Sequence, residues 1–299
     1  MSVPFLRILA ILALPLLAAC AGAPEATRSA PVPGYEGIQD GAFFIEPVPE
    51  RFLFEGNRRA QVAFAGDDAP GTIVVDTFAR RLYLVLEGGK AMRYPIAVGR
   101  DGLAFRGSAI VGRKADWPSW RPTDNMIRTR PDLYAAFAAG LPGGLQNPLG
   151  ARALYLYRGG RDTMFRIHGT ADVASIGAAT SAGCIRLFNQ DIIDLYNRVP
   201  VGTPVRVRTE AESLAAEGPL MVNAFGHVVP QTPGNIAQKQ RDLAEIERKA
   251  AKDREAAQKA ERRRIAACER RGILPQDCPR PAVPEAVVTV GTSDAVTSG

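Results

Sequence analysis

His168-Gly169-Thr170 and, further along, Ser181-Ala182-Gly183-Cys184-Ile185-Arg186 set one imidazole and one thiol in a polar, glycine-rich neighbourhood. These are the residue types of a cysteine nucleophile with a histidine base. A thiolate attacks an acyl carbon once something lowers the thiol's pKa or takes its proton, and an adjacent imidazole does both by forming an ion pair. Gly183 before Cys184 allows a tight turn and close approach of a substrate to backbone amides. Those amides, with that of Cys184, would hold the oxyanion of a tetrahedral intermediate. Ser181 either lines the pocket or hydrogen-bonds within the turn. Arg186 offers a planar fork for a carboxylate or, equally, a salt bridge that shapes the loop.

Elimination points to the same pair. The chain has 2 histidines and 4 cysteines. His227, in Phe225-Gly226-His227-Val228-Val229, falls outside the strand-rich part of the chain and reads as structural or surface-placed. Cys268 and Cys278 lie close together around Gly272 and Pro275 and form a disulfide candidate. Cys20 ends an apolar run, residues 3–19, that is too short and too poorly flanked for a membrane span. Its last residues, Leu17-Ala18-Ala19-Cys20, resemble a bacterial lipoprotein signal in which Cys20 becomes the lipidated residue. The alternative is a secretory signal cut elsewhere, which Pro24 after Ala21-Gly22-Ala23 disfavours. Neither Ala21 nor Gly22 is acidic, so the resemblance implies an anchor on the periplasmic face of the outer membrane. Cys184 is left alone. Burial as a small apolar residue is the ordinary alternative, and the polar neighbours Ser181 and Arg186 argue against it.

The elements that must position this pair are strands. From Gly71 the apolar residues alternate at period two over Thr72 to Asp76, Leu82 to Leu86, Ala91 to Val98, Ala109 to Val111, Leu154 to Tyr157 and Met164 to Ile167. Turn signals at Gly88-Gly89, Arg100-Asp101-Gly102 and Gly159-Gly160 separate them. Pro131 to Ala139 predicts one short helix. Asn189 predicts the N-cap of a second, whose apolar residues run from Ile192 to Val199. Pro204 to Arg208 predicts a last strand. Ile236 to Arg271 has no broad apolar face and predicts a long exposed helix. The net charge of +6 favours an anionic partner, whether acidic lipid, nucleic acid or a carboxylate-rich polymer, without choosing among them.

The residues His168-Gly169-Thr170, Ser181-x-Gly183-Cys184-Ile185-Arg186, Asn189-x-Asp191 and Leu195-Tyr196 resemble the signature of YkuD-type L,D-transpeptidases of bacterial cell walls. Val98-Gly99, Trp117-Pro118-x-Trp120-x-Pro122-Thr123, Asn147-Pro148-Leu149-Gly150 and Ala153-Leu154-Tyr155 resemble the Gram-negative branch. Many family members carry His or Ser where this chain has Ala182. The resemblance implies a mainly β catalytic domain, a mixed sandwich or barrel-like structure with short helices, to which the charged C-terminal α-helix is appended. The expected organisation is a lipoprotein signal peptide over 1–19, a tether and pre-domain segment over 20–69 and the catalytic domain over 70–209. A linker over 210–234, a charged helix over 235–272 and a disordered tail over 273–299 follow.

The resemblance further implies that Cys184 attacks a peptidoglycan stem tetrapeptide at the diamino acid in its third position, expelling D-alanine and forming a thioester. An amine then takes the acyl group, giving a 3-3 cross-link, an exchange product or a tethered envelope protein. His168 would serve as acid and base, and the backbone carbonyl of Gly169 would orient it in place of a triad acid. No metal or cofactor is implied, and peptidoglycan, with the outer membrane through the lipid anchor, is the expected partner rather than nucleic acid. Two alternatives differ in chemistry: water as acceptor, giving an L,D-carboxypeptidase or endopeptidase, and a wall-binding lipoprotein without catalysis. Trp117, Trp120 and Tyr157 either line the substrate cleft or pack in a core.

Overall fold

The computed structural model describes residues 32–54, 56–99, 105–180 and 184–279. The N-terminal apolar run, Cys20, Ser181, Ala182, Gly183 and the tail from residue 280 lie outside the described residues. Ile38–Asp40 (β1) and Phe43–Ile45 (β2) pair as a small antiparallel hairpin. One eleven-stranded sheet then takes in Ala60–Ala63 (β3), Ile73–Asp76 (β4), Arg81–Leu86 (β5), Lys90–Pro95 (β6), Ala97–Gly99 (β7) and Ser108–Asp116 (β8). Arg152–Arg158 (β9), Arg161–His168 (β10), Ala179–Thr180 (β11), Ile185–Arg186 (β12) and Pro204–Val207 (β13) complete it, in the order β11-β7-β12-β10-β9-β8-β13-β4-β5-β6-β3.

The apolar run Ala91 to Val98 does not form one strand, and the reason shapes the fold. Pro95 has no N–H to continue a ladder, and Ile96 donates its own to Arg80 O at 3.1 Å. β6 and β7, separated by this one residue, lie second from opposite ends of the sheet order. The sheet therefore curls until its two flanks meet along one bent segment. Ile73, Leu82, Tyr94, Val98, Leu154, Ile167 and Ile185 are buried together inside the curl, each contributing on the order of 1.5–3 kcal/mol. The structure is mainly β with short helices.

The helices Asp124–Thr129 (α1) and Pro131–Tyr134 (α2) sit in the long β8–β9 connection. Asn189–Arg198 (α3) packs Ile192 and Leu195 into the core. Lys114 Nζ donates to the Tyr196 and Val199 carbonyls at 2.7 and 2.8 Å, at the C-terminal end of α3, where a cation complements the helix dipole. That use of Lys114 explains why β8 runs far beyond Ala109 to Val111. Its charged residues interrupt the apolar alternation but each has a tertiary partner.

Two segments carry more structure than their composition suggests. Tyr35, Val48 and Leu53 of the pre-domain segment form a second core with Ala97, Ile176 and Phe188. Arg59 Nη1 lies 3.1 Å from Asp191 Oδ1, to whose other oxygen Tyr35 donates at 3.2 Å. Asp40 accepts from both terminal nitrogens of Arg152, at 2.6 and 2.8 Å, and from Trp117 Nε1 at 2.8 Å. With β3 paired to β6 as well, residues 32–63 are built into the sheet rather than strung before it.

The expected linker over 210–234 holds a helix and a hairpin instead. Glu210–Glu217 (α4) begins with a capping box, in which Thr209 Oγ1 accepts from Glu212 N and Glu212 Oε2 accepts from Thr209 N. Leu220–Val222 (β14) and Val228–Pro230 (β15) pair antiparallel. Pro233–Glu269 (α5) follows, 37 residues long and exposed along most of its length. No helix among the described residues is long and apolar enough to cross a membrane. Cys268 is bonded to Cys278, closing a short turn with Pro275–Asp277, so residues 273–279 are ordered against the end of α5 rather than part of a loose tail.

Candidate active site

Strand alternation and register decide what shares a face. β10 and β12 are parallel, with Ile167 opposite Ile185 and His168 opposite Arg186. Ile167 and Ile185 point into the core, at 0% and 1% exposure, so His168 and Arg186 point the other way. Cys184 immediately precedes β12, with its carbonyl oxygen accepting from Gly99 N at 3.4 Å. The registers of β8 and β9 extend the pattern into two rows. One runs Arg113, Tyr155 and Arg166; the other runs Ala115, Ala153, His168 and Arg186. Small residues flank the imidazole on the β9 side, leaving it room.

His168 is buried, at 4% exposure, with Nδ1 2.6 Å from the Gly169 carbonyl oxygen. A carbonyl only accepts, so Nδ1 carries the proton and Nε2 keeps a lone pair. Burial, then the nearby Arg186 and Arg166 cations, hold the imidazole pKa down to about 3 against the Gly169 carbonyl, which favours the protonated ring. The resting ring is therefore neutral at physiological pH. A neutral ring with a free Nε2 suits a base that takes the proton of an attacking thiol.

Gly169 is held by its neighbours more than by its own turn. A Cβ there would collide with Asn189 Oδ1 and press on Ile192 and Ala151. Gly150, at φ +62°, faces the same oxygen and the backbone of Gly169 and Thr170. Asn189 is not the N-cap of α3. Phe188 occupies that position, and Asn189 Oδ1 instead accepts from Ala151 N at 2.9 Å. This one side chain ties β9, the residue after His168 and the start of α3 into a single joint. Asn189 was missed in this role because local spacing suits a cap equally well; the signal was the pair of glycines that leave room for it.

Cys184 is half-buried, with Sγ 3.8 Å from the Met164 carbonyl oxygen. Met164 sits in the β10 irregularity at φ +65°, with its side chain 64% exposed. Arg186 Nη1 lies 4.0 Å from Asp172 Oδ2. Burial lowers the Arg186 pKa, while Asp172, Cys184 and Tyr134 favour its charged form. Gly183 and Ser181 lie outside the described residues. His227 is away from this face: it forms an isolated bridge with Ala178, and its ring lies 4.7 Å from that of Phe54. Trp117 packs on Phe43 at 4.4 Å, Trp120 lies near Tyr134 and Phe137, and Tyr157 packs against Gly112.

Residues 70–207 match the YkuD family, described as an L,D-transpeptidase catalytic domain. A Fuscovulum blasticum protein assigned as an L,D-transpeptidase, from the ATP synthase subunits region, is 40% identical over 137 residues, 45% of this chain and 68% of that protein. The assigned Escherichia coli L,D-transpeptidase ErfK/SrfK is 36% identical over 138 residues, and this chain spans 43% of its length. A solved Brucella melitensis structure described as a carnitine operon oxidoreductase is 47% identical, covering 51% of this chain and 95% of that one, with a TM-score of 0.37. That description belongs to the Brucella protein alone. By the family match and its likeness to the Fuscovulum protein over two thirds of that relative's length, the chain belongs to the YkuD family and carries an L,D-transpeptidase catalytic domain.

Proposed function

We propose that the protein is a periplasmic transpeptidase that acts on peptidoglycan stem tetrapeptides through a thioester on Cys184. The observation that supports this most directly is the buried imidazole of His168, whose Nδ1 faces the Gly169 carbonyl, on the strand whose Met164 carbonyl oxygen lies 3.8 Å from Cys184 Sγ. In the first half-reaction Cys184 Sγ bonds to the carbonyl carbon of the third-position diamino acid. His168 Nε2 takes the thiol proton and returns it to the amine of the departing D-alanine as the C–N bond breaks. The amides of Gly183 and Cys184 hold the oxyanion. In the second half-reaction an amine attacks the thioester, His168 takes its proton, and the thiol is restored as the new amide forms. A 3-3 cross-link, an exchanged D-amino acid or a tethered envelope protein is the product, according to which amine arrives. Arg186, with its carboxylate partner Asp172 at 4.0 Å, shapes the loop beside the thiol. Lipidation at Cys20 would hold the enzyme on the periplasmic face of the outer membrane, next to its polymer.

Incubation with a disaccharide-tetrapeptide, followed by intact-mass and muropeptide analysis, tests the reading. The expected result is an acyl adduct on the wild-type chain, dimers or exchange products in solution, and neither with Cys184→Ala. Shortened products without dimer or exchange would reassign the enzyme as a carboxypeptidase. Full activity of Cys184→Ala would remove the nucleophile altogether.

A further inference from the structure

The row beside that of His168 on the β8–β9–β10 face carries an arginine that the reaction above does not use. Arg113 of β8 and Arg166 of β10 both stand opposite Tyr155 of β9, and both guanidinium groups stack on its ring, with Cζ 3.4 and 4.3 Å from the centroid. Tyr155 is a buried floor at 6% exposure. The two cations differ in what neutralises them. Arg166 makes a two-pronged pair with Asp162, at 2.7 and 2.9 Å. Arg113 is exposed and has no carboxylate partner among the described residues; its contact is the ring.

Stacking fixes the plane of a guanidinium and leaves its N–H edge open, in the fork that suits a carboxylate. Two like charges on one ring repel, and only one of them is answered from within the chain. An incoming anion would answer the other. The position is specific as well: β9, which carries Tyr155, lies two strands from β12, which Cys184 immediately precedes, about 10 Å at the spacing of a sheet. That is roughly three residues of extended peptide, beyond the reach of a carboxylate on the departing residue.

We propose that Arg113, held flat on Tyr155, is an anion subsite that takes a peptide carboxylate about three residues from the acyl carbon at Cys184. The proposal rests on the peptide-transferase reading, and the carboxylate belongs either to the acyl donor or to the acceptor peptide. The site sets which peptides are bound in register. It takes no part in bond making.

The test uses the full chain with Cys184→Ala, which binds without turnover, and a stem tetrapeptide either with free carboxylates or with all but the terminal one amidated. Arg113→Gln is expected to weaken binding of the free-carboxylate peptide about five- to tenfold. Amidation should weaken binding to the Arg113 chain by a similar factor, and the two changes together should do no more than either alone. Arg113→Lys should recover part of the loss, with the melting temperature unchanged in both variants. Equal loss for free and amidated peptides, or no loss, overturns the subsite. In chains that retain Cys184, amidating donor and acceptor in separate reactions identifies the source: Arg113→Gln ceases to matter for whichever peptide lost its carboxylate. Turnover that is intact but indifferent to Arg113 overturns the subsite alone. Binding that depends on Arg113 without any Cys184-dependent product overturns the transferase reading and leaves the subsite standing.

Discussion

Residues 32–63 precede most of the sheet in the chain and α5 follows it, and they differ in how far they are built into it. The N-terminal segment has little regular structure, yet Tyr35, Val48 and Leu53 all reach a core, and its charges meet buried partners at Asp191 and Arg152. Helix α5 has far more regular structure and almost none of that burial. Its pairs, such as Lys249 with Asp253 at 2.8 Å, are solvent-exposed and within the helix. Regularity and integration are therefore separate properties. A short irregular segment with a few anchoring side chains can belong to a fold more firmly than a long helix that satisfies its own backbone.

Removing an anchor from the first region is the strongest way to break this comparison. Asp191→Ala leaves Arg59 and the Tyr35 hydroxyl without their buried acceptor, and should cost about 3 kcal/mol. Chemical denaturation checks this, and a loss within error of zero would mean that the segment rests on the sheet without being part of it. A smaller net effect comes from acid, because two buried groups act in opposite senses. The imidazole of His168 sits near 3 in the native protein and near 6.5 in the unfolded chain. Between those values the unfolded chain binds a proton that the native one refuses, so His168 makes stability fall as pH drops from about 6.5 towards 3, whereas Asp191, raised by burial to about 7, is protonated only in the native protein there and opposes it. The difference between the melting curves of the wild type and His168→Gln over that range should show the His168 share, and it should be the same in a chain ending at Thr232, since the group lies within the sheet. The smallest effect is expected from that truncation itself. Loss of α5 should leave the melting of the sheet and the formation of the Cys184 adduct unchanged, and a large drop in either would give the helix a structural role that its exposure does not suggest.

Legibility in the sequence followed the range of the interactions concerned. Strands such as β4, β5 and β9 showed in the apolar alternation, because both their periodicity and their burial are written in neighbouring residues. The capping box at Thr209 and Glu212 was equally local, but it was hidden inside a stretch that composition marked as linker. Asn189 is a harder case, since a cap and a tertiary brace have the same local spacing. Arg113 and Lys114 disguised the length of β8: one stacks on a ring in the next strand and the other reaches the end of α3, and neither partner is near in sequence.

The amino-acid sequence by itself determined which groups could react. It contains 2 histidines and 4 cysteines, and their settings single out His168 and Cys184. Only the tertiary structure decided how they stand. The parallel pairing of β10 with β12 sets His168 opposite Arg186 and brings Cys184, just before β12, to the Met164 carbonyl of β10. The close packing of Gly150, Gly169 and Asn189 aims a carbonyl at Nδ1. Burial beside two guanidinium groups keeps the ring neutral. Register, close approach and desolvation all arise between segments far apart in the chain, so no local pattern of residues could express them.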